Sequence, residues 1–440
     1  MDSGSKVGET LKKCLSLDDQ IYHLSITPNR PDCLSMRGIA KEISAMTNFT
    51  YKKDEIIKIN ENNILDIRVN VINEDSCPLY CLRKISGVDN KKDTPLWLKE
   101  RLSRGGIDTI NPSVDVLNYM MLKYGQPMHA FDLDKVVGSI NVRNAAKGEK
   151  LLLLNNQEIT FHGDELVIAD EKKVIALAGI MGGLETSVKA DTKNILLESA
   201  FFNPICLAGI ARKHSLNTDA SHRFERGVDF EETQNSLDQT SALLTDLFGG
   251  HASNVVIKKT NLPKRNSIKL HTKKVNQILG LSIDKKEIKQ TLESLEFIID
   301  ELEEDFIVTP PSFRFDINIE EDLVEEVIRI YGFDKIQAIS PNTNIKMLGI
   351  DSTKRSVYSI KTTMAGLGYN EIVSYSFIED SVEKEFHENN NLIKLTNPIS
   401  SQMSVMRSKL WGSHMEALNF NINRGQTQIR LFEIASIYEK

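Results

Sequence analysis

The chain has 440 residues, of which 40% are hydrophobic and 26% charged, and a formal charge of −7 at pH 7. That length predicts about three folded units, because one core does not fill it. The composition excludes a disordered tail, a collagen-like fibre and a disulfide scaffold, and the net negative charge excludes a surface that coats nucleic acid throughout, leaving room for a local basic site.

The longest apolar stretch, 174–184, is about half of the roughly 20 residues a membrane helix needs. It also carries Gly179, Gly182 and Gly183, so no bilayer span is expected. Met1-Asp2-Ser3-Gly4-Ser5 lacks the basic start and apolar run of a secretory signal. Cysteines are few and scattered (Cys14, Cys33, Cys77, Cys81, Cys206), as expected where thiols stay reduced. These features predict a cytosolic, cytoplasmic protein. Only Cys77 and Cys81 lie close together, and no further Cys or His stands at zinc-site spacing.

In chain order, the breaker cluster Thr27-Pro28-Asn29-Arg30-Pro31-Asp32 precedes Ile39, Ile43 and Met46, whose spacing predicts a helix with one buried face, N-capped by Asp32. After a polar stretch, the alternation of Leu65, Ile67, Val69 and Val71 predicts a half-buried strand, with a domain boundary near residue 72. Short strands follow at 151–154, 165–170, 174–178 and 195–202. The clearest helix of this block runs over 230–248, between Asp229 as cap and Gly249-Gly250. A lysine-rich linker, 258–274, leads to a helical face of Ile288, Leu292 and Leu295, a strand pair and an acidic helix from Glu320. The last hundred residues predict an amphipathic helix (Ile360, Met364, Leu367), a strand at 371–377, a helix near 415–423 and a strand at 429–438. That final strand has no obvious partner in its layer, so a fragment of a longer protein is expected.

Six strings stand in one order. They are Ile26-Thr27-Pro28-Asn29-Arg30-Pro31-Asp32-Cys33-Leu34-Ser35, Gly125-Gln126-Pro127-Met128-His129-Ala130-Phe131-Asp132, Ala178-Gly179-Ile180-Met181-Gly182-Gly183, and Leu197-Glu198-Ser199-Ala200-Phe201-Phe202. Then come Ser221-His222-Arg223-Phe224-Glu225-Arg226-Gly227-Val228-Asp229 and Arg314-Phe315-Asp316-Ile317, the latter leading to Glu321-Asp322-Leu323-Val324-Glu325-Glu326. In this order and spacing the chain resembles the beta subunit of bacterial-type phenylalanyl-tRNA synthetase, from about residue 7 to its end. The resemblance implies an α+β multidomain fold: a remnant of an N-terminal structural domain at 1–72, a mixed α/β tRNA-editing domain at 73–255, a small winged-helix-like domain at 265–340, and the start of a class II synthetase-like, non-catalytic antiparallel-sheet domain at 341–440. The family's N-terminal OB-type tRNA-binding insertion and its C-terminal part are expected to be missing.

In the family, two alpha and two beta subunits form a heterotetrameric phenylalanine-tRNA ligase. The alpha subunit uses ATP to make phenylalanyl-adenylate and charge tRNA(Phe), while the beta subunit binds tRNA, braces the alpha subunit and hydrolyses mischarged tyrosyl-tRNA(Phe). No membrane or DNA partner is implied. Such editing answers a physical limit: a pocket built for phenylalanine cannot strongly reject an isostere that only adds a hydroxyl. A second site can invert the test, because a wall that binds the phenol is left with an unpaired polar group by phenylalanine, a loss of roughly 1–3 kcal/mol.

Carried across residue by residue, the resemblance makes Glu198 the acceptor of the tyrosine hydroxyl and His129 the neighbour of the terminal adenosine. Gly182 faces the aminoacyl end, Thr218 and Ala220 line the tyrosyl pocket, and Asn118 and Pro127 stand beside it. Where the family has threonine, this sequence has Leu117, which removes a hydroxyl. Without that context, His129 reads as a structural histidine and Glu198 as half of an ion pair with Arg212 or Arg223. No serine, cysteine or lysine stands in a nucleophile motif, so direct attack by water, driven by orientation, is the expected chemistry.

Asp322, Glu325 and Glu326 project to one side of the acidic helix, with Asp316 just ahead. The resemblance makes these four a Mg2+ site at the alpha-subunit contact; the rival reading is a solvated acidic helix N-terminus. The 258–274 run is either an RNA phosphate contact or a solvated linker. Two other functions remain open: a tRNA- and alpha-subunit-binding scaffold with a decayed pocket, for which Leu117 speaks, and a metal-dependent hydrolase acting through the four carboxylates.

Overall fold

The computed structural model describes residues 8, 10, 12, 18–47, 49–52, 54, 59, 61–340, 343, 344, 346, 349, 354–386 and 392–439; Cys14 lies outside them. The chain forms two compact units, 1–338 and 339–440. No described helix is long and apolar enough to cross a membrane.

The first unit is built on two facing sheets. One has the strand order Glu61–Asn63, His251–Ser253, Leu79–Ser86, Asn194–Phe201, Met128–Asp132, with Val256–Lys259 also pairing to Leu79–Ser86. The other runs Met181–Gly182, Val174–Leu177, Leu166–Ala169, Ile140–Asn144, Val69–Val71. Both read in sequence as short apolar runs broken by turn residues, and their apolar side chains form one core across the two sheets, including Leu82, Phe131, Ile168, Ala176 and Leu196. The register of Asn194–Phe201 sorts its residues by face. Ser199 turns to the outer layer and donates to the carbonyl of Thr233 on the helix Glu232–Phe248 at 2.8 Å, so Leu196, Glu198 and Ala200 face the second sheet.

A separate small core within this unit joins the three-stranded sheet Ile268–His271, Asp305–Thr309, Ile298–Glu301 to the helices Lys285–Ser294 and Glu320–Tyr331, through Leu270, Ile288, Leu292, Phe306, Leu323 and Val327. An alternating chain of charge ties it to the N-terminal motif. Arg30 pairs with Asp32 and Glu42, Glu42 with Arg329, Arg329 with Glu326, Glu326 with Arg314, and Arg314 with Asp316.

Several local expectations change. The helix after the breaker cluster is Met36–Met46, but its cap is Ser35, whose hydroxyl accepts from the Gly38 amide at 3.0 Å. Asp32 lies in the 3₁₀ turn Pro31–Cys33, its carboxylate held by Arg30. Ile43 and Met46 are exposed, because the packed face carries Gly38 instead; a Cβ there would collide with the carbonyl of Asp32. The N-cap position of the helix Glu232–Phe248 is Glu231, and Asp229 stands just ahead of it, its carboxylate accepting from the Glu231 amide at 3.1 Å and from Ser312 Oγ at 2.6 Å. The 258–274 run opens in the strand Val256–Lys259, and its far part holds the strand Ile268–His271 and the start of the helix Thr272–Leu279.

The second unit has the helices Val357–Gly366, Asp380–Phe386 and Trp411–Ile422, a parallel pair Asn370–Glu371 with Leu431–Phe432, and an antiparallel pair Phe377–Ile378 with Val405–Met406. The longer strands expected at 371–377 and 429–438 are therefore only two-residue ladders. Its buried apolar cluster is Ile378, Leu392 and Val405, reinforced by the buried Glu383, which accepts from the Ser408 and Lys409 amides at 2.7 and 3.0 Å.

Candidate functional site

The site lies between the two large sheets. His129 is directly opposite Glu198 in the ladder between Met128–Asp132 and Asn194–Phe201, and direct cross-strand partners project to the same face. On the other side Leu82 faces Glu198, and Tyr80, two residues earlier, shares that face. The cleft these strands border is closed by Ile168, Ala176 and Leu177 of the second sheet and by the turn Gly179 to Gly182. Pro127, His129, Gly182, Glu198 and Ala220 all line it, and it opens to solvent.

Glu198 is 5% exposed, and no ion pair reaches it among the described residues. Arg223 instead donates to Asp219 and to the carbonyl of Leu34. The hydrogen bond of Glu198 is with Tyr80, whose fully buried hydroxyl donates to Glu198 Oε2 at 3.0 Å. Burial pushes the Glu198 carboxyl up to about 8, against the smaller opposing pull of Tyr80. The group is thus largely protonated at neutral pH.

His129 Nε2 is buried with no hydrogen-bond partner among the described residues. Burial pulls the ring down to about 4, so it is a neutral imidazole. Phe131 holds its edge at 4.5 Å between centroids, and Gly182 packs so close that a Cβ there would overlap the ring. Gln126 secures the approach to this strand, donating to the carbonyls of Pro127 and Ala200 at 3.1 and 2.9 Å.

The other expected pocket residues are placed differently. Thr218 is the N-cap of the helix Asp219–Phe224, its hydroxyl accepting from the Ser221 amide and donating to the Ile180 carbonyl, both at 3.0 Å. It therefore ties the helix that carries Ala220 to the turn that carries Gly182. Asn118 lies on the helix Pro112–Tyr124, in the layer with Glu232–Phe248, and is not in the cleft lining. Leu117, beside it, is buried in the main core.

The four acidic-helix residues do not make a converging ligand set. Arg314 forks onto Asp316 through two bonds of 2.9 Å and also holds Glu326. Burial alone would raise the Glu326 carboxyl, but Arg329 and Arg314 hold it down at about 2. Asp322 accepts from the Asn318 and Ile319 amides at 2.7 and 2.9 Å, and Glu325 is exposed. A hard cation does not fit carboxylates already matched by guanidinium groups and backbone donors. A triad elsewhere, His162, Glu165 and His214, does converge, but Lys213 Nζ lies 3.2 Å from the same Glu165 oxygen as the imidazoles, so it forms an ion-pair network. A second, open pocket lies between Arg37, Lys41, Tyr124 and Asp229; Arg37 and Lys41 are neutralised by Glu232 and Glu296.

Residues 76–249 match the B3/4 domain, 268–333 the tRNA synthetase B5 domain, and 336–440 the phenylalanyl tRNA synthetase beta chain CLM domain. The chain is 42% identical to the phenylalanine–tRNA ligase beta subunits of Dechloromonas aromatica and Aromatoleum aromaticum, over its whole length. The chain belongs to the phenylalanine–tRNA ligase beta-subunit family. It spans 56% of the length of those relatives. A crystal structure of an N-terminal fragment of the phenylalanyl-tRNA synthetase beta-subunit from Pyrococcus horikoshii, at 18% identity and a TM-score of 0.35, covers 71% of this chain and 90% of its own. The B3/4 match spans every residue that lines the cleft, from Pro127 to Phe224, and Tyr80 behind Glu198.

Proposed function

We propose that the cleft edits mischarged tRNA: it holds the tyrosyl group of tyrosyl-tRNA(Phe) and directs water to the ester. The observation that carries this reading is a buried carboxyl with no ion-pair partner among the described residues, Glu198, lining a cleft beside its direct cross-strand neighbour His129, whose buried Nε2 has no hydrogen-bond partner among them. A phenol reaching Glu198 pairs the carboxyl oxygen that Tyr80 leaves free; a phenyl ring leaves that oxygen without a partner. His129 and the close backbone of Gly182 would then position the terminal ribose and the ester carbonyl. Water adds to the ester carbon, the bond to the ribose oxygen breaks, and a proton from the water passes to that oxygen. No side chain is needed as a nucleophile, so orientation supplies the rate.

Within the same proposal, phenylalanylation of tRNA(Phe) belongs to an alpha subunit, in a complex of two alpha and two beta chains, and a cytoplasmic location follows from that role. The proposed division of the chain is the fourfold one given above. No step is routed through magnesium at Asp316, Asp322, Glu325 and Glu326, and those ion pairs also speak against a hydrolase acting through them. Leu117, buried away from the cleft, gives no support to a decayed pocket. The test is ester loss from tyrosyl- and phenylalanyl-tRNA(Phe) mixed with the purified chain. Wild type is expected to prefer the tyrosyl ester and Glu198→Ala to lose that preference; an unchanged preference would falsify the selector role.

A further inference from the structure

The selecting carboxyl has two oxygens, and the structure treats them differently. Oε2 receives the Tyr80 hydroxyl at 3.0 Å, whereas no described group bonds Oε1 of a residue that lines the cleft. Tyr80 sits in the strand Leu79–Ser86 with no exposure and has Glu198 as its hydroxyl's partner. A neutral carboxyl accepts best at its carbonyl oxygen, so a donor locked onto Oε2 makes that atom the carbonyl and places the acid proton on Oε1. An ionised carboxyl held the same way offers Oε1 as a free acceptor.

We propose that Tyr80 is a specificity-determining positioning residue of the cleft: it fixes which oxygen of Glu198 meets the substrate and keeps that oxygen aimed at the phenol. This rests on the editing reading above. The consequence is a pH-dependent selection. Below the titration of Glu198, Oε1–H donates to the phenol oxygen; above it, the phenol donates to a carboxylate, a charge-assisted and stronger bond. Phenylalanine gains nothing from that change and leaves the buried charge unpaired. The other titratable groups near Glu198 do not change charge in the same range. Burial holds the Cys77 thiol and the Tyr80 phenol well above their ordinary values, and His129 titrates near 4. On the helix Asp219–Phe224, Arg223 is paired with Asp219, while His222 is exposed and shifted down. The second sheet's lining residues, Ile168, Ala176 and Leu177, carry no ionisable side chain.

The experiment measures the ratio of tyrosyl- to phenylalanyl-tRNA(Phe) ester loss from pH 6.5 to 9.5, after subtracting uncatalysed loss, for wild type and Tyr80→Phe. The wild-type ratio is expected to rise with a midpoint near 8. In Tyr80→Phe the ratio should fall roughly tenfold and its midpoint should move upward, because the lost hydrogen bond had favoured the ionised form. A ratio and midpoint unchanged in a folded Tyr80→Phe overturn the proposal. Should that variant not fold, the wild-type profile decides, a flat ratio being the contrary result. Absence of ester loss from wild type at every pH overturns the editing reading instead, which keeps the two failures distinct.

Discussion

Glu198 is costly to the fold as well as useful in the cleft. A carboxyl whose value in the native state lies near 8 instead of the usual 4.5 binds its proton more tightly folded than unfolded. Its favourable contribution is complete below about pH 4.5 and is lost as pH rises towards 8. Glu198→Gln, which keeps the shape and cannot ionise, is therefore expected to be more stable than wild type by an amount that grows from pH 5 to pH 8, on the order of a few kcal/mol. Paired denaturant titrations at the two pH values check this; an equal difference at both contradicts the raised value. At this scale the sequence was half legible. An acid set among Leu197, Ala200, Phe201 and Phe202 demands a partner, and so does a tyrosine hydroxyl in Leu79-Tyr80-Cys81-Leu82. Each demand is visible, but that they answer one another across 118 positions depends on strand order, which no local pattern carries.

At the scale of elements, spacing located the acidic helix but not its use. The rule that places Asp322, Glu325 and Glu326 on one side of a turn is blind to what faces that side. What faces Glu326 is Arg314, with Arg329 one turn on and Glu42 beyond it. Arg314→Met leaves Asp316 and Glu326 without their shared guanidinium and is expected to destabilise the first unit by about 3–5 kcal/mol. Urea unfolding measures it; a loss below about 1 kcal/mol, or full recovery with millimolar magnesium, contradicts the ion-pair account. Strands came through better than caps. Short apolar runs and the turn residues between them mark the strands around 166–169, 174–177 and 194–201. Caps differ for local reasons: Arg30 holds the carboxylate of Asp32, and Asp229, bonded to the Glu231 amide and to Ser312, stands just ahead of the cap position.

At the scale of the molecule, the first unit carries a continuous core through both large sheets, whereas the second carries a small one and exposes Trp411, Tyr375 and Ile399. The ordered strings brought out the family because they are local and survive in sequence. What they do not state is which residues share a cleft: Asn118 is drawn into the helical layer, Thr218 is spent on capping, and neither these two nor Tyr80 lies in any of the strings. The account turns on a tyrosyl ring lying between the two sheets with its oxygen at Glu198. The most direct measurement is a crystal structure of the chain with a non-hydrolysable 3′-tyrosylamino adenosine. The expected result is the ring in the cleft, its phenol oxygen about 2.5–3.0 Å from Glu198 Oε1, and the ribose against His129 and Gly182. A ring bound elsewhere, or a phenol turned away from Glu198, contradicts the account.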